Sequence, residues 1–475
     1  MNNSKLLILL SLGFFLASCG STSKLAVPSG IDNSVNISGK ESRLTEGQLQ
    51  MWVHADLATD TIPGMSVDKA HEFLKGKKST TVIVAIADSG IDIEHPDLKS
   101  NVWNNPKEIA GNGIDDDKNG FVDDMHGWNF LGNSYDETLE ITRIVRSYQQ
   151  RFGNKTATQI AANDMADFKE YIKLKEIVDK EAAKDRGDHY YDVNFNPRAK
   201  FDNNAYNYNV KIYGDNKVNN VVEDEAHGSH VAGIVAADRT NSIGAKGVAN
   251  NVKIMSIRMV PNGDEYDKDV ALAIRYAADN GAKIINTSFG KGYSPNKEWV
   301  HDAIKYAAQK DVLIVNAAGN SAENVDVTET YPNDTPDNMK EVADNMLTIG
   351  ALAPVYNERL AAGFSNYGKR NVDIFAPGVV VYSTMPNENY ALLSGTSMAS
   401  PSTAGVAALI RSYYPQLTAK QVKHIIMNSG TKVNMDVLRP GSKTEKIPFS
   451  SMSVTGRIVN AYNAVVMADK MVNKK

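Results

Sequence analysis

Apolar residues along this chain fall into short unbroken runs separated by longer stretches with helical spacing. Thr81–Ala87 (TVIVAIA) is continuous and rich in β-branched residues, the pattern of a strand buried on both faces. Val252–Ile257, Lys283–Thr287, Val312–Asn316 and Met346–Gly350 carry runs of the same kind. Between them, Lys268–Asn280 and Glu298–Gln309 read as helices, and Ser402–Tyr414 reads as a buried one because it is rich in Ala, Gly and Val. Strand–helix–strand alternation predicts an α/β fold of three layers, a mainly parallel sheet covered by helices on both faces.

One stretch breaks this rhythm. Between Asp136 and Asp188, 21 of the 53 residues are Asp, Glu, Lys or Arg, against 23% for the whole chain. Tyr171, Leu174 and Val178 recur there at helical spacing, so a helical surface insertion is expected at about 133–222, with loop in its Asn- and Tyr-rich part at 192–220. Such an insertion can shade a groove, dock a protein partner, regulate access, or be a lobe without a role.

The N-terminus carries a different pattern. Lys5 precedes an apolar run from Leu6 to Ala17, shorter than the roughly 20 residues that span a bilayer, and Ser18-Cys19 follow. These are the parts of an export signal, and Leu16-Ala17-Ser18-Cys19 resembles a bacterial lipobox, which implies cleavage after residue 18 and lipidation of Cys19. Ordinary secretion is the other reading. Residues 19–48, rich in Ser, Gly, Asn and Lys, suit a tether, and 49–475 would be the folded domain. Cys19 is the one cysteine of the 475 residues, so no internal disulfide is available. With 51 basic against 56 acidic residues, net charge −5, the chain lacks the basic surface that nucleic acid requires.

Three short motifs stand in a fixed order. Asp88-Ser89-Gly90 follows the first predicted strand, His227-Gly-Ser-His230 opens a small-residue stretch, and Gly395-Thr396-Ser397-Met398-Ala399-Ser400-Pro401 precedes the buried helix. A nucleophilic serine needs a base to take its proton, and the base needs an acid to hold its tautomer. His230 lacks the Glu of a His-Glu-x-x-His zinc site and reads as a structural helix residue.

These motifs, in the chain order Asp…His…Ser, resemble the active-site motifs of the subtilisin-like serine peptidases, from about Trp52 to Ala468. The resemblance implies that Asp88 orients the imidazole, His227 is general base and then acid, and Ser397 is the nucleophile. Asn316-Ala-Ala-Gly-Asn320 resembles the family's oxyanion segment, with Asn320 and the Ser397 N–H as donors. Thr287-Ser288-Phe289-Gly290 resembles the strand that pairs with substrate, and Gly290 with Ala317, Ala318 and Gly319 would line a specificity pocket. No acidic residue lies in those two segments, which favours a broad or apolar preference.

Two metal sites are expected, both for calcium. Asp115, Asp117 and Asn119 alternate before Gly120 as in an EF-hand loop, but His126 stands at the twelfth position, so Asp123 or Asp124 would supply the missing carboxylate. From the family resemblance, Asp97 and Asn241 would bind a second calcium with the Ile243 and Ala245 carbonyls.

Asp88 and His227 lie 139 residues apart because the charged insertion falls between them. The stretch between Cys19 and the domain is too short for a folding prodomain, and the chain ends soon after Gly456–Tyr462, which resembles the family's closing helix. The expectation is an exported, lipid-anchored serine endopeptidase of the bacterial cell envelope, acting on polypeptides and held at the membrane by its lipid. The alternative from another class is a surface lipoprotein that only binds peptides or a partner on the same fold.

Overall fold

The computed structural model describes residues 40, 42–184, 187–200, 205–220, 225–338 and 340–473. Cys19, the expected signal segment and most of the expected tether therefore lie outside the described residues. Three short helices, α1 (Glu46–Met51), α2 (Leu57–Asp60) and α3 (Val67–Leu74), lead into β1 (Val82–Asp88). The sheet continues with β2 (Gly127–Asn129), β3 (Val252–Arg258), β4 (Ile284–Thr287), β5 (Leu313–Ala317), β6 (Met346–Leu352) and β7 (Ile374–Pro377). Two hairpins, β8 (Val381–Met385) with β9 (Asn389–Leu393) and β11 (Asp436–Leu438) with β12 (Lys446–Pro448), stand apart, while β10 (Thr431–Lys432) and β13 (Arg457–Ile458) close one edge. Among the described residues nine strands form one sheet in the order β10-β13-β7-β6-β5-β4-β1-β3-β2, parallel except for the β10–β13 pair.

Each predicted strand is present within a residue or two, because an apolar run buried on both faces has no other stable place. Alternate residues feed two cores. Val84, Ile86, Ile254, Ile284, Leu313 and Val315 pack on one face, and Ala85, Ala87, Met255, Ile257, Ile285 and Ile314 on the other. The first face is covered by α6 (His227–Ala236), α9 (Thr396–Tyr413), α10 (Ala419–Ser429) and α11 (Ala461–Val472), the second by α7 (Asp267–Asp279) and α8 (Lys297–Gln309).

The insertion holds α4 (Glu140–Phe152) and α5 (Met165–Ala182), which pack on each other through a small core of their own that includes Val145, Phe152, Phe168, Tyr171, Leu174 and Val178. The sequence pattern found α5 from its apolar stripe. It did not anticipate that Glu140 and Arg143 of α4 are fully buried, because a charged residue reads as a surface residue until its partners are known. No helix among the described residues is long and apolar enough to cross a membrane.

Candidate active site

Parallel strands deliver their C-terminal ends to one edge of the sheet, and the three motifs meet there. Asp88 is the last residue of β1 and is 1% exposed. His227 opens α6, and its Nδ1 lies 2.8 Å from Asp88 Oδ1, which also accepts the Ser89 N–H at 2.8 Å. The approach is close because residue 228 is glycine: a Cβ there would overlap the Gly90 carbonyl oxygen. With Nδ1–H donating to the carboxylate, Nε2 keeps its lone pair free to act as a base. Burial alone would lower the His227 pKa, but the Asp88 charge and hydrogen bond outweigh it and hold it above the ordinary histidine value.

Ser397 is the second residue of α9, so its N–H has no intrahelical partner and points out of the helix start. Its Oγ donates to the Ser288 carbonyl at 3.0 Å, while Ser288 Oγ donates to the Ser397 carbonyl at 2.9 Å. The second bond is possible because Pro401, four residues on, has no N–H to claim that carbonyl. Hydrogen bonds between a nucleophilic serine and its base commonly form or tighten only once substrate is bound.

Asn320 follows β5. Its Oδ1 accepts from both the N–H and the hydroxyl of Thr396, each at 2.9 Å, and Thr396 Oγ1 in turn accepts from Gly319 N–H at 3.1 Å. Both carbonyl lone pairs are thus engaged and the amide NH2 is left free to donate. The sequence motif found Asn320 but not the role of Thr396 in aiming it, which depends on two segments far apart in the chain.

A cavity of about 540 Å³ opens beside Ser397. Phe289, Gly290, Ala317, Ala318 and Gly319 line it. A third wall was missed: Glu323, Glu329, Thr330 and Tyr331 also line it, so the cavity is not purely apolar. They come from a loop with no motif of its own, and only folding brings it to the site.

His230 is buried in α6, its Nε2 3.1 Å from the Ala391 carbonyl oxygen. Burial holds its pKa down to about 4, so it is a neutral core histidine, as its sequence context indicated.

The two acidic loops differ. Asp97 accepts the Asn241 amide at 2.8 Å and the Ala245 N–H at 2.9 Å, and Asn241 Oδ1 accepts from Ile243 N–H at 3.1 Å. The four residues do meet, as a hydrogen-bonded clasp in which both oxygens of Asp97 are already satisfied. In the other loop, Asp123 turns away to cap the N–H groups of Asn112 and Gly113, and Asn119 Oδ1 accepts from Phe121 N–H. Asp115 and Asp117 meet instead with Glu108, carboxylate oxygens of the three lying within 4.8 Å of one another. Glu108 is 8% exposed and its Oε2 is buried without a hydrogen-bond partner, so this cluster has an oxygen left over for a cation. Sequence spacing missed Glu108 because it precedes the loop motif.

Fold and site together define a serine-hydrolase arrangement of Asp, His and Ser at the edge of a parallel sheet. Residues 79–444 match the subtilase family, and this chain belongs to it. It is 42% identical over 187 residues to a thermophilic serine proteinase of Bacillus sp. (strain AK1), covering 39% of this chain and 42% of that protein. It is 37% identical over 226 residues to a cell wall-associated protease of Bacillus subtilis, covering 47% of this chain and 23% of that one. To subtilisin DY of Bacillus licheniformis it is 37% identical over 215 residues, covering 44% of this chain and 72% of that one. The chain thus spans less than half the length of the first two relatives. Among solved structures, a protease from Pseudoalteromonas arctica shares the fold, with a TM-score of 0.54 and 20% identity over 89% of this chain and 97% of that one.

Proposed function

We propose that this protein is an exported serine endopeptidase in which Ser397 is the nucleophile, His227 the base, Asp88 its orienting acid and Asn320 an oxyanion donor. The observation that carries the reading is the 2.8 Å contact between His227 Nδ1 and Asp88 Oδ1, beside a serine at a helix start and an amide whose carbonyl is already tied down. Ser397 Oγ attacks the peptide carbonyl as His227 Nε2 takes its proton, and the oxyanion forms against the Asn320 amide and the Ser397 N–H. His227 then gives the proton to the leaving amine, and water activated by the same imidazole releases the acyl group.

Calcium is the cation that three convergent carboxylates and their unpartnered oxygen suit best, with Glu108, Asp115 and Asp117 as ligands. When bound, it would cross-link the loop and neutralise its charge, away from the chemistry. Residues 1–18 act in this reading as a lipoprotein signal and 19–48 as a tether from lipidated Cys19, which places the domain, 49–475, on the bacterial cell envelope; the lipobox pattern and the kinship to a cell wall-associated protease support it. Labelling of the purified protein by a fluorophosphonate tests the catalytic reading: wild-type protein labels, Ser397→Ala does not. Absence of labelling in the folded, calcium-supplied wild type would overturn it in favour of a protein that only binds peptides.

A further inference from the structure

The insertion does more than sit on the surface: through Lys291 it is tied to a wall of the cavity that holds Ser397. Tyr135–Thr138 runs alongside Asn262–Asp264, with Asn262 N–H donating to Tyr135 O at 2.8 Å and Glu137 N–H to Asn262 O at 2.9 Å. Gly263 between them has φ +140°, and a Cβ there would collide with the Glu137 carbonyl. At the wall of the Ser397 cavity, Lys291 and Tyr331 exchange backbone hydrogen bonds at 2.9 Å. Each segment is therefore paired on one edge. Among the described residues the backbone groups of Gly290, which lines the cavity, have no hydrogen-bond partner, so this segment still has main-chain groups to offer an extended peptide.

A buried charge cluster ties these two segments to the insertion. Glu140 of α4 accepts from Lys291 Nζ at 2.8 Å and from Arg143 Nη2 at 2.6 Å, and Tyr206 OH donates to its other oxygen at 2.8 Å. Lys291 Nζ also donates to the Glu265 carbonyl at 2.7 Å and lies 2.8 Å from Asp267 Oδ1. Arg143 donates to the carbonyls of Thr138, Asp264 and Glu265 at 2.7, 2.8 and 3.1 Å. The side chains of Glu140, Arg143 and Lys291 are at most 1% exposed. Burial alone would raise the Glu140 pKa, but the two cations hold it down to about 2, so the carboxylate is charged throughout the working range.

We propose that Glu140 is a positioning residue for substrate: through Lys291 and Arg143 it anchors the Phe289–Lys291 wall of the cavity on the Asn262–Glu265 segment and the insertion, so that affinity for long peptides, rather than the bond-breaking step, depends on the insertion. Lys291 lines the cavity that holds Ser397, which is how a residue of α4 reaches the site without touching it. The inference rests on the serine peptidase reading.

Glu140→Gln keeps shape and removes the charge that both cations need. A shift of that wall by a fraction of an ångström then weakens main-chain pairing along a long substrate and leaves a short one unaffected. Peptide p-nitroanilides of one and of four residues separate the cases. The expected result is a KM for the four-residue substrate raised at least tenfold, with kcat, the one-residue kcat/KM and the fluorophosphonate labelling rate all within about twofold of wild type. Glu140→Asp should restore part of the loss. Should Glu140→Gln fail to fold, the charge-balanced pair Glu140→Leu with Arg143→Met removes the same link and should show the same selective loss. Equal changes for both substrates, or none in a folded variant, would overturn the proposal. Failure of wild-type labelling would instead strike the peptidase reading itself.

Discussion

Asp88→Asn isolates the electrostatic part of the site. The carboxylate is 1% exposed, its Oδ1 holds both His227 Nδ1 and Ser89 N–H, and its Oδ2 is buried without a partner. The substitution keeps the size and removes the charge. Two effects follow for His227. Its preferred tautomer is no longer fixed by an anion, and the imidazolium formed during attack is no longer stabilised. In the serine-triad template this costs about 10⁴ in kcat, or about 5.4 kcal/mol of transition-state stabilisation. The pH profile must move as well. Burial lowers the His227 pKa and Asp88 raises it, so without the charge the midpoint falls from above about 6.5 to below it. For stability, a histidine whose folded pKa is raised contributes fully below its unfolded pKa and loses that contribution as pH rises through the folded value. The stability difference between wild type and variant should therefore be larger at pH 5 than at pH 9. Fluorophosphonate labelling rates from pH 5 to 9, with thermal melts at both ends, measure all three quantities. A variant that labels at more than about a tenth of the wild-type rate, or whose midpoint stays above 6.5, would refute the assignment of Asp88.

Three further outcomes are expected. Asn320→Ala removes one oxyanion donor and should lower kcat by about 10²–10³, the scale known for subtilisin itself, with KM nearly unchanged in peptide hydrolysis. Calcium at a hundredfold excess over its Kd should stabilise the protein by about 2.7 kcal/mol, about 3 °C in Tm for a chain of this length, and Glu108→Gln should abolish most of that rise in melts with and without chelator. Cys19→Ala should move the protein from the membrane to the soluble fraction on cell fractionation; retention at the membrane without lipid would exclude the anchor.

The sequence by itself determined the layered α/β architecture, because apolar runs such as Thr81–Ala87 satisfy their burial only inside a parallel sheet. It also singled out Asp88, His227, Ser397 and Asn320 as the candidate site, since their motifs are local and their order along the chain is informative. Tertiary structure alone decided the rest. Thr396 aims Asn320, Glu108 replaces Asp123 among the convergent carboxylates, and Glu323 and Glu329 enter the cavity wall, each through a contact that no local spacing encodes. Glu140, Arg143 and Lys291 make the same point most sharply. Charged residues carry a surface signal in the sequence, and only the meeting of α4 with the Lys291 segment supplies the partners that let them be buried.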